Sequence, residues 1–236
     1  MNYTIEILRQ KDRDAKPYRQ VIGFATDDTE MTVATLLKTL NATPSLTDID
    51  TKPVEKIEWE CSCLQKKCGA CAMRINGRPR LACDTKLIEF KNGRIILEPL
   101  KKFPVVCDLI VDRSVMFENL KNIGLWLEKE ARHTERGEDI SYEASRCLQC
   151  GCCLEVCPNF IPGEEFYSAA SFVPTARILS ELPKKDKADI LKAYVEKVYK
   201  GCGKSLSCRD ICPAGIDIEH LLINNNAVAV WKRFLR

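Results

Sequence analysis

"RCLQCGCCLEVCP" (residues 146–158) places five cysteines in thirteen positions. Cys147, Cys150, Cys153 and Cys157 follow C-x2-C-x2-C-x3-C, and Pro158 closes the run. That spacing binds iron–sulfur clusters, and where a chain has two such runs the last cysteine ligates the other run's cluster. Three thiols therefore serve one centre while Cys157 reaches across to a second. Cys152 lies between two ligands, is left over, and is expected to point away from both centres. Proline after the crossing cysteine removes an N–H donor and fixes φ as the chain leaves the cluster.

A second run is then required, and "CGKSLSCRDICP" (202–213) supplies it as Cys202-x5-Cys208-x3-Cys212-Pro213. Laid over the first run, Cys202 matches Cys147, Cys208 matches Cys153 and Cys212 matches Cys157. Ser205 stands where Cys150 would be. One centre then has Cys147, Cys150, Cys153 and the crossing Cys212, four thiolates for a [4Fe–4S] cluster. The other has Cys202, Cys208 and the crossing Cys157. Iron–sulfur ligands are overwhelmingly thiolates, so this set predicts [3Fe–4S], with Ser205 offering at most an alkoxide.

A third constellation lies upstream. "CSCLQKKCGACAMRINGRPRLAC" (61–83) contains Cys63-x4-Cys68-x2-Cys71-x11-Cys83, the plant-type [2Fe–2S] spacing. Three thiolates on a tight loop wrap a compact cluster, and the small Gly69 and Ala70 let backbone N–H groups approach it. The fourth thiolate returns just past an Asn76-Gly77 turn. A zinc ribbon would use paired short knuckles around a tetrahedron, which the x4-then-x2 triplet does not match. Of the 14 cysteines, Cys61, Cys107 and Cys152 remain. They are expected to be buried or semi-buried thiols behaving as small hydrophobes.

The chain has 236 residues, 45% hydrophobic and 29% charged, ordinary for a globular protein of one large or two small domains. A net charge of +3, with no basic stripe interleaved with aromatics, excludes a nucleic-acid reading. "MNYTIEILRQ" shows no basic region followed by an apolar core, so no secretory signal is expected. The longest apolar runs, such as "VCDLIV", fall far short of the ~20 residues that cross a bilayer. Without export, the cysteines read as metal ligands rather than disulfides.

Texture divides the chain. Up to about residue 110 it reads as strands and turns. "YTIEIL" (3–8) and "YRQVIGF" (18–24) form a hairpin pair, and "TVATLLKTL" (32–40) a helix capped by Thr32 or Asp28. Asn76-Gly77 and Asn92-Gly93 each predict a hairpin. Beyond about 112, segments 114–132, 164–182, 187–200 and 218–233 read as helices, with Pro174 bending or breaking the second. The link falls near 103–112.

Some chemistry is missing. No G-x-G-x-x-G opens a helix after a strand. "GCGKS" (201–205) echoes a phosphate loop, but Val198 stands where its first glycine belongs. His133 and His220 are isolated and read as surface or helix-end residues rather than haem ligands or bases. No nucleophile–base pair or carboxylate pair stands out.

The three motifs in this order, across essentially the whole chain, closely resemble the iron–sulfur subunit of succinate dehydrogenase and fumarate reductase. "INGRPRLAC" (75–83), "ILEPLKKFPVVCDLIVD" (96–112) and "EEFYSAASFVPTARIL" (164–179) carry the likeness further. The resemblance implies an α+β fold: an N-terminal β-grasp plant-type ferredoxin domain over residues 1–108, then an all-helical bacterial-ferredoxin-like domain over 109–236. It implies a non-catalytic electron-transfer subunit, peripheral on the cytoplasmic side of a membrane. Its partners would be a flavoprotein with covalently bound FAD and a membrane anchor with quinone, the anchor's haem content open. The Cys63 set would face the flavoprotein, the Cys147 set lie in the middle and the Cys157 set face the quinone. Pro158, Phe160 and Ser205 are the residues expected near the quinone, by proximity to the third cluster. Ubiquinone-type members carry a tryptophan shortly after the first Cys-Pro and a histidine just after the first cysteine of the third motif. Here "CPNFIP" has no tryptophan and Gly203 takes the histidine position, which resembles menaquinone-using members. Two rivals stand beside this reading: the same wire serving another flavoprotein or soluble donor, such as a thiol-dependent fumarate reductase, and a zinc-stabilised interaction module.

Overall fold

Strand β1 (Asn2–Arg9) alternates its side chains, turning Tyr3, Ile5, Ile7 and Arg9 inward and leaving the intervening residues less buried. It pairs antiparallel with β2 (Tyr18–Ala25) from Asn2↔Ala25 to Arg9↔Tyr18, the expected hairpin pair. Helix α1 (Val33–Ala42) begins where Thr32 accepts from the Thr35 N–H, and it buries Val33, Leu36, Leu37 and Leu40. β3 (Ala72–Ile75) and β4 (Arg78–Leu81) close around Asn76-Gly77, both with positive φ (47° and 79°), as a tight hairpin turn requires. β5 (Arg94–Glu98) completes a five-stranded mixed sheet ordered β2-β1-β5-β3-β4, a β-grasp arrangement. Ile5, Ile7, Ile22, Ile95, Leu97, Leu36 and Leu37 are fully buried, each contributing roughly 1.5–3 kcal/mol. A two-stranded ribbon of β6 (Val105–Cys107) and β7 (Ile110–Val111) follows.

The hairpin expected at Asn92-Gly93 does not form. β5 is parallel to β1 on one side and antiparallel to β3 on the other, so neither edge is free for residues 87–91. Leu87–Glu89 instead coils into a 3-10 turn that buries Leu87. Gly93 keeps a different duty. At φ 67° it brings its carbonyl 2.7 Å from the Thr4 N–H, and a Cβ there would lie 2.7 Å from the Asn2 carbonyl oxygen.

The computed structural model describes residues 1–127, 130 and 135–231, without the side chains of 135–138 and 184. Chain contacts divide it into Met1–Asp112 and Arg113–Arg236. Among the described residues the second unit is helical: α2 (Ser114–Ile123), α3 (Glu135–Ser145), α4 (Cys152–Val156), α5 (Ala169–Glu181), α6 (Ala188–Tyr194), α7 (Ser207–Ile211) and α8 (Ile218–Asn226). Its core gathers Phe172, Val173, Ala176, Tyr194, Val198, Leu221 and Leu222. No described helix is long and apolar enough to cross a membrane.

Two helices are shorter than their periodicity predicts. The one expected over 114–132 stops at Ile123, because Gly124 turns left-handed (φ 76°) and returns its N–H to Leu120 and Lys121. The one expected over 164–182 starts at Ala169. Ser168 adopts φ 56°, ψ −162°, and Tyr167 donates its N–H to Lys197 O at 2.8 Å, committing the preceding residues elsewhere. Pro174 does not break α5, which runs through it. His220 is exposed in the first turn of α8, as expected, while His133 and residues 232–233 lie outside the described residues.

Candidate metal centres

The β3–β4 hairpin brings two distant thiols together. Ala72 pairs with Leu81, so Cys71 just before β3 meets Cys83 in the 3-10 turn just after β4, close enough for each thiol to act on the other. Cys63 and Cys68 lie close likewise across the loop, and the charge of Cys68 reaches Cys71. The loop is built to aim amides at sulfur. Leu64, Lys66 and Gly69 all have positive φ (53°, 58° and 74°). The Gln65 and Lys67 N–H groups each lie 3.3 Å from Cys63 Sγ, and that of Lys66 lies 3.3 Å from Cys83 Sγ. These donors bring Cys63 down to about 7, whereas burial pushes Cys71 up to about 12. Lys66 Nζ reaches Asp84 Oδ2 at 2.7 Å and pins the loop to the turn carrying Cys83. Four thiols under converging N–H donors suit a cluster of net negative charge. Cys61 lies outside this set and is exposed, not buried as expected. Cys107 is half-buried.

The second unit repeats one backbone twice. Gln149 and Lys204 are left-handed (φ 48° and 56°), as are Gly151 and Leu206 (φ 86° and 54°). Each pair is matched by the sequence overlay of Cys147 on Cys202. A five-residue helix follows in each run, α4 and α7, and each ends on its crossing cysteine: Cys157 at φ −70°, ψ 118° and Cys212 at φ −65°, ψ 113°. Residue for residue, Ser205 occupies the slot of Cys150.

Two cavities result. Cys147, Cys150, Cys153 and Cys212 line the first, walled by Ala169, Val173, Ile216 and Ile218. Cys157, Cys202 and Cys208 line the second, with Ser205, Pro158 and Asn159. The cavities offer four thiols and three. Each contains the terminal cysteine of the opposite run. Cys153 feels the sulfurs of Cys150, Cys147, Cys208 and Cys212, so the two sets are neighbours. Burial pushes Cys147 and Cys208 up to about 11 and raises Cys153 as well. Cys150 is brought down to about 7, chiefly by the donating Cys152 thiol, with the Arg113 guanidinium assisting. Such a set is costly to ionise without a metal's positive charge beside it, which suits ligands that lose their protons on metal binding. Among the described residues no group of three His, Cys, Asp or Glu side chains is placed to hold a single metal ion.

Cys152 is fully buried, lines neither cavity and bonds to Cys150. Of the residues expected near a quinone, Pro158 and Ser205 are exposed at the second cavity, while Phe160 is buried (1% exposed) and lines neither. Sequence spacing gave no hint of Asn159, whose Nδ2 donates to Gly201 O at 2.8 Å and ties the two runs together. Nor did it single out Gln149, whose amide touches Cys147.

Residues 4–118 match the family described as a 2Fe-2S iron-sulfur cluster binding domain, and 143–216 match a 4Fe-4S dicluster domain. The chain is 34% identical over 223 residues to the succinate dehydrogenase iron-sulfur subunit of Bacillus subtilis, covering 90% of this chain and 86% of that one. It is 30% identical over 231 residues to the 8-methylmenaquinol:fumarate reductase iron-sulfur subunit of Wolinella succinogenes, covering 92% of this chain and 70% of the relative. In fold it is similar to a chain of the Mycobacterium smegmatis Sdh1 complex, with TM-score 0.78, 22% identity, and coverage of 99% and 97%. With a [2Fe–2S] ferredoxin domain followed by a dicluster domain, the chain belongs to the family of iron–sulfur subunits of succinate dehydrogenases and fumarate reductases.

Proposed function

We propose that this chain carries electrons between the FAD of a flavoprotein subunit and a membrane quinone, without itself catalysing the exchange of succinate and fumarate. Cys63, Cys68, Cys71 and Cys83, within residues 1–108, would hold a [2Fe–2S] cluster at the flavoprotein end. Within 109–236, Cys147, Cys150, Cys153 and Cys212 would hold a [4Fe–4S] cluster. Cys157, Cys202 and Cys208 would hold a [3Fe–4S] cluster at the quinone end, with Pro158 and Ser205 at its exposed rim. When bound, such clusters supply centres that gain and lose one electron at potentials set by charge, hydrogen bonds and burial.

The chain's own residues supply the rest. The Gln65, Lys66 and Lys67 amides favour negative charge at the first site. Ala169, Val173 and Ile218 keep the middle cavity apolar. Helices α4 and α7 each begin beside one cavity and end in the other, which fixes the spacing of the two sites. Menaquinone is the acceptor this reading favours. Gly203 and the tryptophan-free "CPNFIP" support it, and so does the likeness to the 8-methylmenaquinol:fumarate reductase iron-sulfur subunit of Wolinella succinogenes. The position in a cell would be peripheral, on the cytoplasmic face of the membrane.

The observation that supports this reading most is the exchange of Cys157 and Cys212 between cavities offering three and four thiols. Purification of the chain with whatever accompanies it from its native membrane tests the proposal. A flavoprotein, an anchor with bound quinone and electron transfer between menaquinol and fumarate or succinate are expected. Recovery as a soluble pair oxidising thiols would contradict it.

A further inference from the structure

Gln149 lies between two proposed ligands, at φ 48°, on the wall of the four-thiol cavity. Its side-chain Nε2 donates to Cys147 Sγ at 3.3 Å and to Ala170 O at 3.4 Å. Ala170 O is a helical carbonyl whose ordinary donor would be the N–H of residue 174. That residue is Pro174, inside α5, and it has no N–H to give. The proline therefore leaves a buried acceptor, and the Gln149 amide fills it from 21 residues away. Its orientation follows from chemistry. Turned over, the amide would set Oε1 against a sulfur and a carbonyl oxygen, both acceptors. As placed, Oε1 is buried without a partner, a cost tolerated only because the NH2 group has two acceptors to satisfy. The second run has no equivalent, since the matching residue, Lys204, is exposed.

We propose that Gln149 is a positioning residue of the four-thiol site: its amide bridges Cys147 to the carbonyl that Pro174 leaves open, and raises the reduction potential of the centre held there. This rests on the assignment of a [4Fe–4S] cluster to Cys147, Cys150, Cys153 and Cys212. A donor to a ligand sulfur stabilises the more negative, reduced state, so its loss lowers the potential. The backbone N–H of Gln149 faces the same sulfur and remains in any side-chain variant.

An EPR-monitored redox titration of the purified complex tests this in wild type, Gln149→Met, Pro174→Ala and the double variant. Methionine keeps the length and removes both donors. Alanine at 174 restores the helical N–H, which competes for Ala170 O and releases the amide. In Gln149→Met the four-iron potential is expected to fall by about fivefold in the one-electron equilibrium, or about 40 mV at 59 mV per tenfold. Pro174→Ala is expected to lower it less, and to add nothing in the Gln149→Met background, as coupled residues should. The other two centres should not move. An unchanged potential in Gln149→Met, or additive shifts in the double variant, overturns the bridge. If Gln149→Met fails to assemble the centre, Pro174→Ala decides alone: a lowered potential supports the bridge and an unchanged one overturns it. A wild-type complex without any four-iron signal would overturn the underlying assignment, and the bridge with it, so the two failures are distinct.

Discussion

Arg9 Nε donates to Asp108 Oδ1 at 3.0 Å, an ion pair 99 residues apart in sequence with both side chains about 95% buried. The pair survives burial because every neighbouring group answers it. Arg9 also donates to Gln20 Oε1 (2.7 Å), Glu55 O (3.2 Å) and Lys56 O (2.9 Å). Asp108 accepts from the N–H groups of Gln10 (3.0 Å) and Glu58 (2.9 Å). The network ties β1 and the β6–β7 turn to the strap that leads into the first cysteine loop. Asp108→Asn keeps the size and tolerates the φ of 42°, yet strands a buried guanidinium. Urea unfolding should show a loss of about 3–5 kcal/mol. The exposed pair of Lys52 and Asp50 provides the contrast, and Asp50→Asn should cost under about 1 kcal/mol. Equal losses would contradict this.

Gly93 and Gly23 differ in the space around them. A methyl at Gly93 meets Asn2 O at 2.7 Å on a left-handed backbone, whereas at Gly23 nothing lies within 4 Å. Gly93→Ala is expected to cost about 2 kcal/mol or more, from strain and from the displaced β1–β5 contact. Gly23→Ala should be neutral or slightly stabilising. Thermal unfolding of the two variants checks the difference.

Glu6 gives a pH-dependent component. Arg94, donating to Oε2 at 2.7 Å, holds the Glu6 carboxyl below its usual range, with Arg19 assisting and burial opposing. A carboxylate with a depressed folded-state pKa adds stability that is complete above the unfolded value of about 4.3 and is lost as pH falls through the folded value. The stability gap between the wild-type chain and Glu6→Gln should therefore be constant near neutral pH and close below about pH 4. A gap that widens on acidification would contradict the sign.

Ser205 stands in the backbone slot of Cys150, its hydroxyl accepting from Ser207 at 3.3 Å. Ser205→Cys completes a fourth thiol at the second cavity. The oxidised variant should lose the three-iron EPR signal and, on reduction, gain a second four-iron signal. Persistence of an unchanged three-iron signal would mean that Ser205 and Cys150 are not equivalent.

Much of this was readable from residues alone, for local reasons. Thr32 capping α1, the Asn76-Gly77 turn and the two Cys-Pro runs each depend on chemistry within a few positions. What escaped depends on distant partners. Asn92-Gly93 carries the same turn signal as Asn76-Gly77, but β1 and β3 already occupy both edges of β5. Gly124 ends α2 although the apolar pattern continues past it. Pro174 was expected to bend or break its helix because the residue that satisfies the Ala170 carbonyl it leaves open, Gln149, lies in another motif. Cys61 reads like its neighbours, and nothing within a few positions marks it as the exposed thiol.

The most direct measurement is a crystal structure of the cluster-loaded chain with anomalous data collected at the iron edge. Cys212 Sγ should be bonded to a four-iron centre held by Cys147, Cys150 and Cys153, and Cys157 Sγ to a three-iron centre held by Cys202 and Cys208. A map in which Cys157 and Cys212 each bind the centre of their own run, or in which single zinc ions replace the iron, would contradict this.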